Sequence, residues 1–202
     1  MNSLAPTKCR AGVFLDRDGT VIEEKHFLDR PEDVVLLPSA AEAIAKLNSL
    51  GIPVAIATNQ SGIARGYFPE SRIGEVHARL DELLAPFGAK IDRYEYCPHH
   101  PQEGVGLYRV DCDCRKPKPG MLKRSAAALD VDLTRSLMVG DRIGDLEAGA
   151  NAGCRSALVR TGYGKNVADD FAVSAMRFVG AFSSLEEAIN AWILAEFQNE
   201  IG

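Results

Sequence analysis

Asp16 and Asp18 stand two positions apart at the end of an apolar run, Ala11 to Leu15, and are followed by Gly19 and Thr20. In an extended chain such residues face the same way, so their carboxylates converge on one point beyond the strand. Like charges that close call for a cation or a proton between them. A second apolar run, Pro53 to Ala57, ends in Thr58, Asn59, Gln60, Ser61 and Gly62. Hydroxyls, amides and the backbone N–H groups of a Ser/Gly loop suit the oxygens of a phosphate. Further on, Arg115, Lys116 and Lys118 put three cations within four positions; an arginine fork grips phosphate through paired bonds, and a lysine offers a compact charge beside a nucleophile. A last apolar run, Ser136 to Val139, leads into Gly140, Asp141, Arg142 and, one helical turn on, Asp145. Each stretch has an ordinary reading: an Asp/Gly turn, a polar loop, a solvated basic turn, an acid at a helix start. The four together are what cation-dependent chemistry on a phosphate requires.

Residues 97 to 120 show little periodicity, many prolines and glycines, and three of the five cysteines. A long irregular loop in a compact chain is usually functional or held by something. Cys97, His99, Cys112 and Cys114 supply three thiolates and an imidazole, a closed set of the kind structural zinc takes. His100 is an alternative ligand, and free thiols are the other reading. A Cys112–Cys114 disulfide would close a strained ring. One structural zinc is therefore expected in a loop of about 97–115, with Cys9 and Cys154 far off.

These residues need strands ending at one edge. Val13 to Leu15, Pro53 to Thr58, Arg93 to Tyr96, Ser136 to Val139, Ser156 to Val159 and Arg177 to Val179 read as strands. Between them, a capping box of Ser39 and Glu42 opens a helix that buries Ala40, Ala43, Ile44, Leu47 and Leu50 and closes at Gly51. A second amphipathic helix runs from Ser71 to Phe87 with Ile73, Val76, Leu80, Leu83, Leu84 and Phe87 inward and His77 among solvated neighbours. Met121 to Leu129 makes a third, and Ser184 with Glu187 opens a terminal helix that buries Trp192. Strands alternating with helices predict an α/β, Rossmann-like doubly wound parallel sheet with helices on both faces and the site at the strands' carboxyl ends. Residues 1–202 are expected to form a single domain, with a C-terminal extension of about 163–202.

With 202 residues and 46% hydrophobic content, the chain can bury a substantial core. A net charge of -5 and no basic run leave no footprint for nucleic acid. No stretch approaches the ~20 apolar residues of a membrane span, and the start lacks a signal-peptide core. A cytoplasmic monomer that acts on a small molecule is expected.

The strand followed by Asp16-Arg17-Asp18-Gly19-Thr20, with the Thr58 loop, Lys116 and Asp141, resembles the haloacid dehalogenase superfamily in a capless form. VFLDRDGTVIEE, ATNQSGIARGYF, CPHHP, CDCRKPKPGML and MVGD together resemble the D-glycero-D-manno-heptose 1,7-bisphosphate phosphatases, relatives of the histidinol-phosphate phosphatases. The resemblance implies Asp16 as nucleophile, Asp18 as acid and base, and Lys116 joining nucleophile and phosphate. It places magnesium on Asp16, the Asp18 backbone carbonyl and Asp141, and the transferred phosphoryl group on Thr58 with Asn59, Gln60 and Ser61. Arg115, Lys116 and Arg142 would contact the phosphosugar. The sequence EEKHFL departs from the run usual there, and Glu24 and Phe27 would take its part. Rival readings are a histidinol-phosphate or other small sugar bisphosphate phosphatase, a phosphate-sensing module like the receiver domains, and a zinc-organised scaffold. The second Asp, needed for turnover, argues against the sensing module, and the complete set Asp16, Asp18, Lys116 and Asp141 argues against the scaffold.

Overall fold

The computed structural model describes residues 10–168 and 177–197; Cys9 and the first residues of the chain lie outside the described residues. Six strands form one parallel sheet: β1 (Val13–Leu15), β2 (Val54–Asn59), β3 (Arg93–Cys97), β4 (Leu137–Gly140), β5 (Arg155–Val159) and β6 (Arg177–Phe182), in the order β3-β2-β1-β4-β5-β6. The helices are α1 (Ala40–Ser49), the single turn α2 (Ser61–Ala64), α3 (Ser71–Leu84), α4 (Gly120–Leu129), α5 (Ile143–Ala152) and α6 (Leu185–Phe197).

Strand alternation divides the core in two. Val13, Leu15, Val54, Ile56, Leu137 and Val139 point to one face, where α1, α3 and α6 cover them. Phe14, Ala55, Ala57 and Met138 point to the other, beneath Met121, Leu122 and Ala126 of α4. Both faces of these strands are dry, which is why their sequences are unbroken apolar runs. Helices on both faces and an all-parallel sheet are as expected. The order reverses at β1, so a crevice opens beyond the carboxyl ends of β1 and its neighbours β2 and β4, where such sheets bind ligands.

Four local expectations are corrected. Ser39 enters α1 in the left-handed region, at φ 59, and its side chain caps nothing; the helix starts on a backbone bond from Ala43 N–H to the Ser39 carbonyl. Leu50 has already left that helix and is 54% exposed. α3 ends at Leu84, and Phe87 sits in a tighter turn that swings it outward. His77 is not solvated: it is buried on α3 and stacked on Tyr94 of β3 at 4.2 Å between ring centres. At α6 the capping contacts form with a shift: the Ser184 hydroxyl accepts from Glu187 N–H, while the Glu187 carboxylate accepts from Ser183 N–H. Trp192 is fully buried. Among the described residues no helix is long and apolar enough to cross a membrane.

Candidate active site

β1 delivers Asp16 to the sheet edge, and the turn after it is tight: the Arg17 carbonyl accepts from Val21 and Ile22, and Gly19 N–H returns to the Ile22 carbonyl. Gly19 adopts φ +81, and a Cβ there would overlap the Asp141 carboxylate. Gly162, from the loop after β5, lies against Gly19 and closes on the same carboxylate oxygen, Oδ2. Backbone therefore closes in on Asp141 where side chains cannot fit.

Lys116 is buried to 6% exposure and uses all three ammonium hydrogens, on Asp16 Oδ1 at 2.6 Å, Asp145 Oδ1 at 2.7 Å and the Ala57 carbonyl at 2.6 Å. Its place in the loop is fixed by Asn59, whose side-chain amide both donates to the Lys116 carbonyl and accepts its N–H, each at 3.1 Å. Burial opposes the ammonium charge, but Asp145 and Asp16 outweigh it and hold Lys116 protonated beyond its ordinary range. Asp145, at the start of α5, gives its other oxygen to Arg142 N–H at 3.0 Å. It thus serves the helix start and the lysine together.

Asp18 accepts from Arg17 through both Nε and Nη2 at 3.1 Å, from Gln60 Nε2 at 2.9 Å and from the Thr58 hydroxyl at 3.4 Å. Burial pushes the Asp16 carboxyl well above its ordinary pKa against the pull of Lys116, with Asp145, Asp141 and Asp18 adding to the rise. Asp141 is raised to about 7, mainly by burial, although Tyr163 N–H donates to its Oδ2 at 2.7 Å. Its other oxygen is buried with no hydrogen-bond partner. An orphaned carboxylate oxygen beside Asp16, with the ligand atoms of Asp16, Asp141 and Asp145 within 4.8 Å of one another, is a donor set for a hard divalent cation.

The cleft over these groups measures about 310 Å³ and is lined by Glu24, Phe27, Thr58, Asn59, Gln60, Ser61, Arg115 and Arg142 among others, so every substrate residue expected from the sequence borders it. Arg115 points through a 3.1 Å bond from Nη1 to the His99 carbonyl, which ties it to the cysteine loop. Arg142 lies over the Tyr163 ring at 3.7 Å and pairs with Glu24 at 3.5 Å. The sequence reading missed Arg17, Arg65, His26 and Tyr163. Tyr163 hydrogen-bonds His26 at 2.6 Å and closes one wall. The one hint in the sequence is that β5 also ends in a polar loop, Arg160 to Tyr163, but no spacing singles out the tyrosine.

In the loop after β3, the sulfurs of Cys97, Cys112 and Cys114 lie 3.1 to 3.4 Å apart, with His99 Nδ1 at 3.5 Å from Cys114 and 3.9 Å from Cys97. A tetrahedron of thiolates about a zinc has edges of about 3.8 Å at ordinary bond lengths. His100 faces away, with its Nδ1 accepting from the backbone at Gln102 and Glu103. Burial raises the Cys97 thiol, whereas in Cys112 hydrogen bonds from Cys114 and Cys97 overcome burial and bring it down to about 7.

A family model described as HAD-hydrolase-like matches residues 113–186. The D-glycero-beta-D-manno-heptose-1,7-bisphosphate 7-phosphatase of Pseudomonas aeruginosa is 45% identical over 77% of this chain and 84% of its own length; that of Haemophilus influenzae is 42% identical over 74% and 82%. The crystal structure of D,D-heptose 1,7-bisphosphate phosphatase from B. bronchiseptica, complexed with magnesium and phosphate, superposes with a TM-score of 0.80 at 35% identity, covering 92% of this chain and 99% of that one. Sequence, sheet order and site agree, and the chain belongs to the haloacid dehalogenase-like phosphatases, in the family of the D-glycero-D-manno-heptose 1,7-bisphosphate 7-phosphatases.

Proposed function

We propose that the chain removes the 7-phosphate of D-glycero-D-manno-heptose 1,7-bisphosphate by a magnesium-dependent, two-step phosphoryl transfer. The observation that carries this reading is the buried triad of Asp16, Lys116 and Asp145, which lines one cleft together with Asp18. Asp16 is held by Lys116 through Oδ1, which leaves its second oxygen to attack phosphorus in line. As the phosphorus–sugar oxygen bond breaks, Asp18 gives its proton to the leaving oxygen. Water then attacks the aspartyl-phosphate, Asp18 takes the water's proton, and the phosphorus–Asp16 bond breaks to release phosphate and the free carboxylate. Lys116 and the Thr58–Ser61 loop neutralise charge that spreads over the phosphoryl oxygens. Asp16, the Asp18 carbonyl and Asp141 would hold magnesium, which supplies further positive charge at those oxygens when bound. Arg115, Arg142, Glu24 and Phe27 address the sugar and its remaining phosphate.

Cys97, His99, Cys112 and Cys114 hold a structural zinc in this account, and the enzyme works as a cytoplasmic monomer. The substrate is tested by phosphate release, with magnesium, from both anomers of heptose 1,7-bisphosphate beside histidinol phosphate and fructose 1,6-bisphosphate. A strong preference for one heptose anomer is expected. Preference for histidinol phosphate keeps the chemistry and overturns the substrate.

A further inference from the structure

The residue between the two aspartates, Arg17, is one of the largest fully buried side chains among the described residues. Arg17 is 0% exposed, and its Nη1 has no hydrogen-bond partner. Its remaining donors, Nε and Nη2, both go to the Asp18 carboxylate, one to each oxygen. A buried arginine is poor material for stability, because desolvating its charge offsets most of what the pair gains, and an apolar side chain of similar volume often serves the fold as well. What a two-pronged donor does well is fix the plane and position of a carboxylate. Gln60 extends the same grip: its side-chain amide donates to Asp18 at 2.9 Å and to the Thr58 hydroxyl at 2.8 Å.

We propose that Arg17 is the positioning residue for the acid and base of the reaction: its buried fork, backed by Gln60, sets where the Asp18 carboxyl sits against the leaving oxygen. This rests on the proposed function and deepens it. The effect falls on the step in which Asp18 donates its proton. Departure of a sugar alkoxide needs the proton that Asp18 delivers, while departure of p-nitrophenolate does not, so misplacing Asp18 slows the first and spares the second. A general loss of structure slows both alike.

The test is single-turnover release of the leaving group, with enzyme in excess, from a heptose bisphosphate and from p-nitrophenyl phosphate. Arg17→Met removes the fork, and Arg17→Lys keeps the charge but not the two-pronged geometry, so it carries the test where Arg17→Met fails to fold. Sugar release is expected to slow roughly 100-fold in Arg17→Met and roughly 10-fold in Arg17→Lys, with nitrophenol release within about threefold of the parent. Adding Arg17→Lys to Asp18→Asn should change sugar release no further, because two residues that act through one group are not additive. Equal slowing of both substrates, an additive double variant, or unchanged sugar release overturns the proposal. A parent protein that releases neither leaving group instead overturns the phosphatase reading beneath it.

Discussion

At the residue scale, the site is a set of carboxylates that the fold keeps apart with few cations. Lys116 satisfies Asp16 and Asp145, and Arg17 satisfies Asp18, but Asp141 keeps a buried oxygen without a partner. The close backbone at Gly19 packs against the other oxygen, Oδ2, which accepts from Tyr163 N–H, and so holds the carboxylate in place. Gly19→Ala places a methyl group on the Asp141 carboxylate and imposes the left-handed φ of +81 on a residue that disfavours it. We expect kcat/KM to fall by about 100-fold in steady-state assays, in line with the cost of a misplacement of about 1 Å in a site's geometry. The two aspartates and Asp141 were legible because each follows an apolar run, and Lys116 because it stands in a basic cluster beside the cysteine loop and matches the family's lysine. Tyr163 and His26 were not. A tyrosine and a histidine in polar loops carry no spacing signal, and only the folded chain brings them to one wall of the cleft.

At the element scale, α3 shows where periodicity misleads. Its apolar stripe was read correctly from Ile73 to Leu84, but His77, polar by type, is packed against the Tyr94 ring, where burial first and the Arg17 charge second push it down to about 3. Its folded pKa lies below the ordinary value, so the neutral form contributes stability that is complete above about pH 6.5 and is lost as pH falls from there towards 3. Urea unfolding should show this. Between pH 6.5 and 5 the parent loses about 1–2 kcal/mol more than His77→Asn, and parallel pH profiles for the two would contradict the assignment. The cysteine loop makes a second prediction. Protein purified without chelator should carry one zinc per chain, and stripping it should lower kcat/KM on the sugar substrate, because the loop that orients Arg115 through the His99 carbonyl loosens. Metal-free protein with full activity and an ordered loop would refute the zinc site.

At the scale of the whole molecule, the chain's last described strand and helix are part of the main core. β6 pairs with β5, and α6 lays Leu185, Ala188, Ile189 and Trp192 on the same face of the sheet as α1. Truncating Trp192 to Ala should cost about 3–5 kcal/mol in chemical denaturation while leaving kcat of the folded protein near the parent's, since the ring lies among core side chains remote from the cleft. The β/α alternation was plain in the sequence, because two-sided burial writes strands as apolar runs. β6 was harder to read to its end: Gly180 interrupts the β-formers Phe178 and Val179, and at the sheet edge most of its residues are only half-buried. Strand order follows from right-handed crossovers only once the reversal at β1 is known, and that reversal is what gathers Asp16, Thr58 and Asp141 at neighbouring strand ends.

Covalent chemistry at Asp16 is the step on which the proposed reaction depends. The direct measurement is rapid acid quench of the enzyme during turnover of heptose 1,7-bisphosphate with magnesium, followed by peptide mass spectrometry. A phosphoryl group on the peptide that contains Asp16, absent in an Asp16→Asn variant that folds normally but does not turn over, is the predicted result. Continued turnover by Asp16→Asn, or a phosphoryl group on a different residue, would contradict it.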